Sequence, residues 1–235
     1  MKRLILLAFL AVGACVETVP PVSAPPAALL PPAGPPIGAA AAEANFAAVV
    51  ARMEPMIERE CRIRRSAANC DFQIVVDARP GQPPNARQSL DRSGRPIIAF
   101  STALIRDARN IDEIAFVMGH EAAHHIAGHI PRQKQSALTG ALIFGALTAA
   151  SGADGEAIRN AQDLGGTIGA RRFSKDFELE ADALGTVLTW NAGFDPERGA
   201  AFFARIPDPG NRFLGTHPPN AARIDTVRKT LITLR

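Results

Sequence analysis

The segment His120-Glu-Ala-Ala-His124 is followed, 54 residues beyond its second histidine, by Glu178-Leu-Glu-Ala-Asp182. No other feature constrains the fold as strongly. Side chains at i and i+4 share one face of an α-helix, so each segment sets two such groups on a single face. The fold must bring those faces together. Two imidazoles spaced this way can reach one cation. Glu121 is offset around the helix; it is poorly placed to ligate the same ion but can touch a water bound to it. Zinc lowers the pKa of such a water towards ~7, and an adjacent carboxylate can then take its proton. Catalytic zinc takes three protein ligands and keeps one position for water. His120 and His124 supply two, and Glu178 is the candidate third. Asp182 lies one turn further on and can accept the distal N–H of a ligand histidine. Glu180, the rival third ligand, points away by about 200°. His125 and His129 fall on other faces of the helix and read as surface histidines. A three-histidine site is not expected, because Ala127 and Ile130 stand where that pattern needs glycine and histidine.

The chain opens with Met1-Lys2-Arg3 and an apolar run from Leu4 to Val12, the pattern of an export signal too short to cross a bilayer as a helix. Val12-Gly13-Ala14-Cys15 resembles a bacterial lipobox, which implies cleavage after residue 14 and acylation of Cys15. An ordinary secretory signal with an incidental cysteine is the alternative. Val16 and Glu17 carry no clear signal for inner-membrane retention, so the expected location is the periplasmic face of the envelope, lipid-anchored at the outer membrane. Loss of Lys2 and Arg3 takes the formal charge from +3 to +1. No long basic run exists, and nucleic acid is not an expected partner. Of the three cysteines, lipidation of Cys15 leaves Cys61 and Cys70 as a disulfide pair in an oxidising compartment. So short a loop would stabilise by roughly 2–3 kcal/mol.

Residues 15–42 are rich in proline and alanine and nearly free of charge, an extended tether of roughly 80 Å at full stretch, with no packed structure expected. The folded domain is expected over 43–235. Its elements read as a helix from Glu43 to Glu60, strands at Phe72–Asp77 and Pro96–Ser101, a loop over Arg79–Gly94 and a helix over 110–130 ended by Pro131. A buried or interfacial apolar helix is expected over 137–150. Ser174 is expected to cap a helix running to Trp190, and helices start at Asp195-Pro196 and after Pro218. The class is α+β: mostly helical, with a small sheet.

The series His-Glu-Ala-Ala-His-His-Ile-Ala-Gly-His, Phe-Ser-Lys-Asp-Phe-Glu-Leu-Glu-Ala-Asp-Ala-Leu-Gly and Thr-His-Pro-Pro-Asn-Ala-Ala-Arg-Ile, in that order, resembles the gluzincin zinc metallopeptidases, the group of HtpX, the CaaX prenyl proteases and periplasmic BepA. The likeness covers about residues 45–235. It implies a zincin-like fold, one zinc ion per chain on His120, His124 and Glu178, Glu121 as general base and Asp182 behind a ligand. It also implies that His217 and Arg223 help to stabilise the transition state. Ile97, Ile98, Ala99, Phe100 and Ser101 match the family's edge strand, which pairs with an extended protein or peptide substrate along the active-site groove. The transmembrane helices of the membrane-embedded branches are lacking, so only the N-terminal lipid is expected to meet the membrane. The implied activity is an envelope endopeptidase acting on extended or misfolded segments. A latent or chaperone-like lipoprotein with masked zinc is the alternative.

Overall fold

The computed structural model describes residues 34–65, 67–172, 174–211, 215 and 217–235. The export signal, Cys15 and the tether up to residue 33 lie outside the described residues.

Helix α1 (Ala39–Arg64) buries Val49, Met53, Ile57 and Cys61, a stripe at i+4 spacing. It begins four residues earlier than the sequence reading placed it. Ala39–Ala42 continue the helix instead of the tether, as the high helix propensity of alanine allows, and Ala42 is fully buried. Cys61 at its end is disulfide-bonded to Cys70, with Cα atoms 5.7 Å apart.

The sheet has three strands, β1 (Gln73–Asp77), β2 (Ala86–Leu90) and β3 (Pro96–Ser101), in the order β1-β3-β2. β3 runs parallel to β1 and antiparallel to β2. Ile97–Ser101 is therefore the middle strand, not an edge strand, and both of its backbone edges are occupied. Ser101 is also committed internally: its hydroxyl donates to Pro83 O and accepts from Asn85 N and Leu104 N. The strand at the β3 side's edge is β2, which lies in the stretch read as loop. Ala-Arg-Gln-Ser-Leu has no clean polar–apolar alternation, so only its backbone pairing to β3 reveals it.

Ser101 caps α2 (Thr102–Asp107). Asn110 then caps α3 (Ile111–Ile126), its side-chain oxygen accepting from Glu113 N at 3.0 Å. The α3 helix ends at Ile126, before Pro131. Gly128, at φ 69°, makes the break, and Pro131 falls in the first turn of α4 (His129–Ala150), where its missing N–H costs nothing. Helix α5 (Gly155–Arg172) returns alongside α4. Gly140, Gly165 and Gly169 leave no room for a Cβ between them. The 137–150 segment is not buried as a whole: Leu138, Leu142 and Leu147 face outward. No described helix is long and apolar enough to cross a membrane.

Helix α6 (Ser174–Asn191) follows; Ser174 is its first residue, and its hydroxyl donates to Ala170 O at 3.1 Å. Asp195 caps α7 (Pro196–Ala200) through Glu197 N and Arg198 N; a 3-10 turn and α8 (Asn220–Leu234) complete the described chain. The core gathers around α3, with Phe72, Phe100, Phe116, Met118 and Leu188 all essentially inaccessible.

Candidate metal centre

α3 carries His120, Glu121 and His124; α6 carries Glu178, Glu180 and Asp182; α8 carries Arg223. Close approach of α3 and α6 makes these groups neighbours. At their crossing, a Cβ on Gly119 would stand 2.9 Å from Gly185 O, and one on Gly185 would stand 2.8 Å from His120 N.

His120 Nε2 and His124 Nε2 lie 3.0 Å apart. Glu178 Oε2 is 3.5 Å from the first and Glu178 Oε1 is 3.4 Å from the second. Ligand atoms bound at ~2.0–2.2 Å around a tetrahedral ion stand roughly 3.3–3.5 Å from one another; the two sides to Glu178 match that spacing, and the side between the imidazoles is slightly shorter. Two neutral-capable imidazoles and one carboxylate are also the donor set of a hydrolytic zinc site. Among the described residues these three form the cluster able to hold a metal ion.

The supporting groups are buried. His120 Nδ1 lies 2.9 Å from Oδ1 of Asp182, which is wholly inaccessible. Arg223 donates to the same carboxylate through Nε and Nη2, both at 2.7 Å, and its guanidinium lies 3.9 Å from the Phe203 ring centre. Burial and the Arg223 cation push the pKa of His120 down, but Asp182 and Glu178 outweigh them and raise it to about 9. Burial would raise Glu178; hydrogen bonds from His120, His124 and His217 instead hold it far below the usual carboxylate range. Burial also opposes the charge on Arg223, yet Asp182 keeps its pKa raised.

A groove of about 350 Å³ opens over the triangle. β2 lines it through Ala86, Arg87 and Gln88, together with Phe177 and Ile130. Glu121 and His217 also line the groove. His217 is half-exposed, with Nδ1 3.1 Å from Glu178 Oε2. Arg223 sits beneath the triangle, bound to Asp182 and 3.5 Å from Glu178 Oε2.

Two residues set aside on helical geometry join the site from behind. His129 lies 2.8 Å from His124 Nδ1, and Glu180 lies 3.2 Å from His129. His125 turns away to bond Asn69 O at 2.8 Å. The available signal for His129 was the Ala-Gly-His run, since glycine commonly terminates a helix and redirects the chain. Nothing in the sequence marked Gly185 or β2.

A helical domain with a small mixed sheet and a His-His-Glu triangle under a groove defines a metallopeptidase. Residues 43–231 match the family described as Peptidase family M48, and the chain belongs to that family, the gluzincin type. Among its relatives, the beta-barrel assembly-enhancing protease of Escherichia coli (strain K12) is 29% identical over 151 residues, 59% of this chain and 31% of that protein. The same-named protein of Yersinia pestis is 29% identical over 144 residues, 56% of this chain and 30% of its own length. The mitochondrial metalloendopeptidase OMA1 of Saccharomyces cerevisiae is 31% identical over 170 residues, 68% of this chain and 47% of that protein. The chain spans less than a third of the two bacterial relatives and about half of the yeast one.

Proposed function

We propose that the chain is a zinc-dependent endopeptidase of the bacterial cell envelope that cuts extended or misfolded protein segments. The observation that carries this reading is the triangle of His120, His124 and Glu178, with sides of 3.0–3.5 Å, at the floor of a groove walled by a sheet-edge strand. Zinc held by those three residues supplies a Lewis acid and lowers the pKa of water towards ~7. Glu121, one residue from His120 and facing the groove, takes the proton of the attacking water and returns it to the leaving amine. His217, which also lines the groove, donates to the oxyanion. Arg223 acts at one remove, by fixing Asp182 and thereby His120. An extended substrate adds to β2 by backbone hydrogen bonds, a mode that suits unfolded chain and reads little sequence.

The lipidated Cys15, the tether and the outer-membrane location form part of the same proposal. They rest on the N-terminal sequence and on relatives whose name links them to β-barrel assembly. A latent state is the second reading, favoured by the 3.1 Å approach of His217 to the candidate ligand Glu178.

The test is Glu121→Gln. The purified variant is expected to retain one zinc per chain and to lose cleavage of an unfolded reporter protein by at least about 100-fold. Cleavage at the wild-type rate would overturn the mechanism.

A further inference from the structure

His124 turns Nε2 towards the metal triangle, so its Nδ1 faces the protein. There it meets Nδ1 of His129 at 2.8 Å. An imidazole that gives Nε2 to a cation carries its proton on Nδ1, and the group receiving that proton fixes the ring's orientation. His124 Nδ1–H therefore donates and His129 Nδ1 accepts. This places the His129 proton on Nε2, which points at Glu180 Oε2, 3.2 Å away. Each donor in the row has an acceptor, and the row ends on a carboxylate. Arg132 Nη1 holds that carboxylate in turn, at 2.8 Å.

The row is rigid. His129 is 4% exposed and its ring stacks on Phe177, with centroids 4.6 Å apart and planes 10° from parallel. On an unbroken helix, a residue five positions after His124 would sit about 140° around the axis, out of reach. The left-handed backbone of Gly128 stops α3 and restarts the chain as α4, which swings the first residue of α4 back onto the ligand.

We propose that His129 is a positioning residue for the metal centre: a neutral ring that passes the pull of Glu180 to His124 and holds that ligand's Nε2 on the ion. It does for His124 what Asp182 does for His120. The two ligands are supported differently, one directly by a buried carboxylate and the other through an intervening imidazole. The inference rests on the reading of the triangle as a zinc site.

Zinc affinity of the full chain, measured by competition with a chromophoric chelator, tests it without any need for turnover. His129→Phe keeps an aromatic ring against Phe177 but removes the acceptor. His129→Asn loses the stack but places an oxygen near the position of Nδ1. The relay requires His129→Phe to weaken zinc binding by roughly 10- to 100-fold, the usual effect of losing such a partner, and His129→Asn to recover most of that loss. The thermal midpoint of the metal-free variants should follow the opposite order, since it reports packing. Affinity in His129→Phe equal to wild type, or affinity that follows the thermal midpoint, overturns the relay and leaves His129 as a packing residue. Absence of stoichiometric zinc from the wild-type chain overturns the centre itself, and the relay falls with it.

Discussion

Gly119 of α3 and Gly185 of α6 meet with no space for a side chain on either: the Cβ of one would press on the carbonyl oxygen of the other at 2.9 Å. This contact sets the distance between the helix that supplies His120 and His124 and the helix that supplies Glu178. A Cβ on Gly185 would also stand 2.8 Å from His120 N, so a methyl group there must displace His120. Gly185→Ala is expected to lower stability by about 1–3 kcal/mol, as overpacking does, and to weaken zinc binding as well. Urea unfolding and chelator competition read the two effects. Unchanged zinc affinity in a destabilised variant would show that the crossing does not govern the site.

Asp182 and Arg223 form a buried, doubly bonded ion pair. Removing one member leaves the other charged and dehydrated, so Arg223→Ala is expected to cost about 3–5 kcal/mol. Replacing both, as Asp182→Leu with Arg223→Met, should restore much of the stability, because apolar substitutes for a buried pair are often neutral. Zinc affinity should stay weakened, since His120 still lacks its acceptor. Recovery of both properties together would detach the pair from the metal centre.

The convergence of His120, His124 and Glu178 was legible because side-chain spacing follows helix geometry: His120 with His124, and Glu178 with Asp182, each lie one turn apart, and Glu180 falls off that face. The cap at Asn110 and the strand at Ile97–Ser101 were legible for similar local reasons. What escaped depends on partners distant in the chain. β2 is Ala-Arg-Gln-Ser-Leu, polar at its centre and defined only by pairing with β3, so the edge role passed to the more apolar Ile97–Ser101. His129 was placed by continuing a helix that Gly128 interrupts. Gly185 has significance only opposite Gly119, 66 positions away.

His120 and His129 shift in opposite directions, and each adds its own pH dependence to the metal-free protein. His120, raised to about 9 with 6.5 as its ordinary value, favours folding while protonated. Its contribution is complete below about 6.5 and is lost as the pH climbs towards 9. Burial, then the charge of His124, lower His129 to about 4. The unfolded chain thus takes up a proton that the folded one refuses, and stability falls as the pH drops from 6.5 to 4. Without zinc, the urea midpoint should be highest near pH 6.5 and fall on both sides. With zinc, the alkaline fall should vanish, because binding requires unprotonated ligands. A metal-free midpoint that rises steadily from pH 5 to 9 would contradict the His120 assignment, and one that falls steadily over that range would contradict the His129 assignment.

His217 separates an active centre from a latent one. Its ring is half-exposed on the groove, and Nδ1 reaches Glu178 at 3.1 Å. As an oxyanion donor it contributes only when charge develops on the scissile carbonyl. His217→Ala should then lower kcat by about 100- to 1,000-fold with KM and zinc content little changed, the effect of deleting one such donor. If His217 instead holds the centre closed by competing for the metal, the same substitution should raise turnover and loosen zinc. The sign of the change in kcat decides between the two, and His217→Gln, which keeps a donor but binds metal poorly, should follow wild type in the first case and His217→Ala in the second.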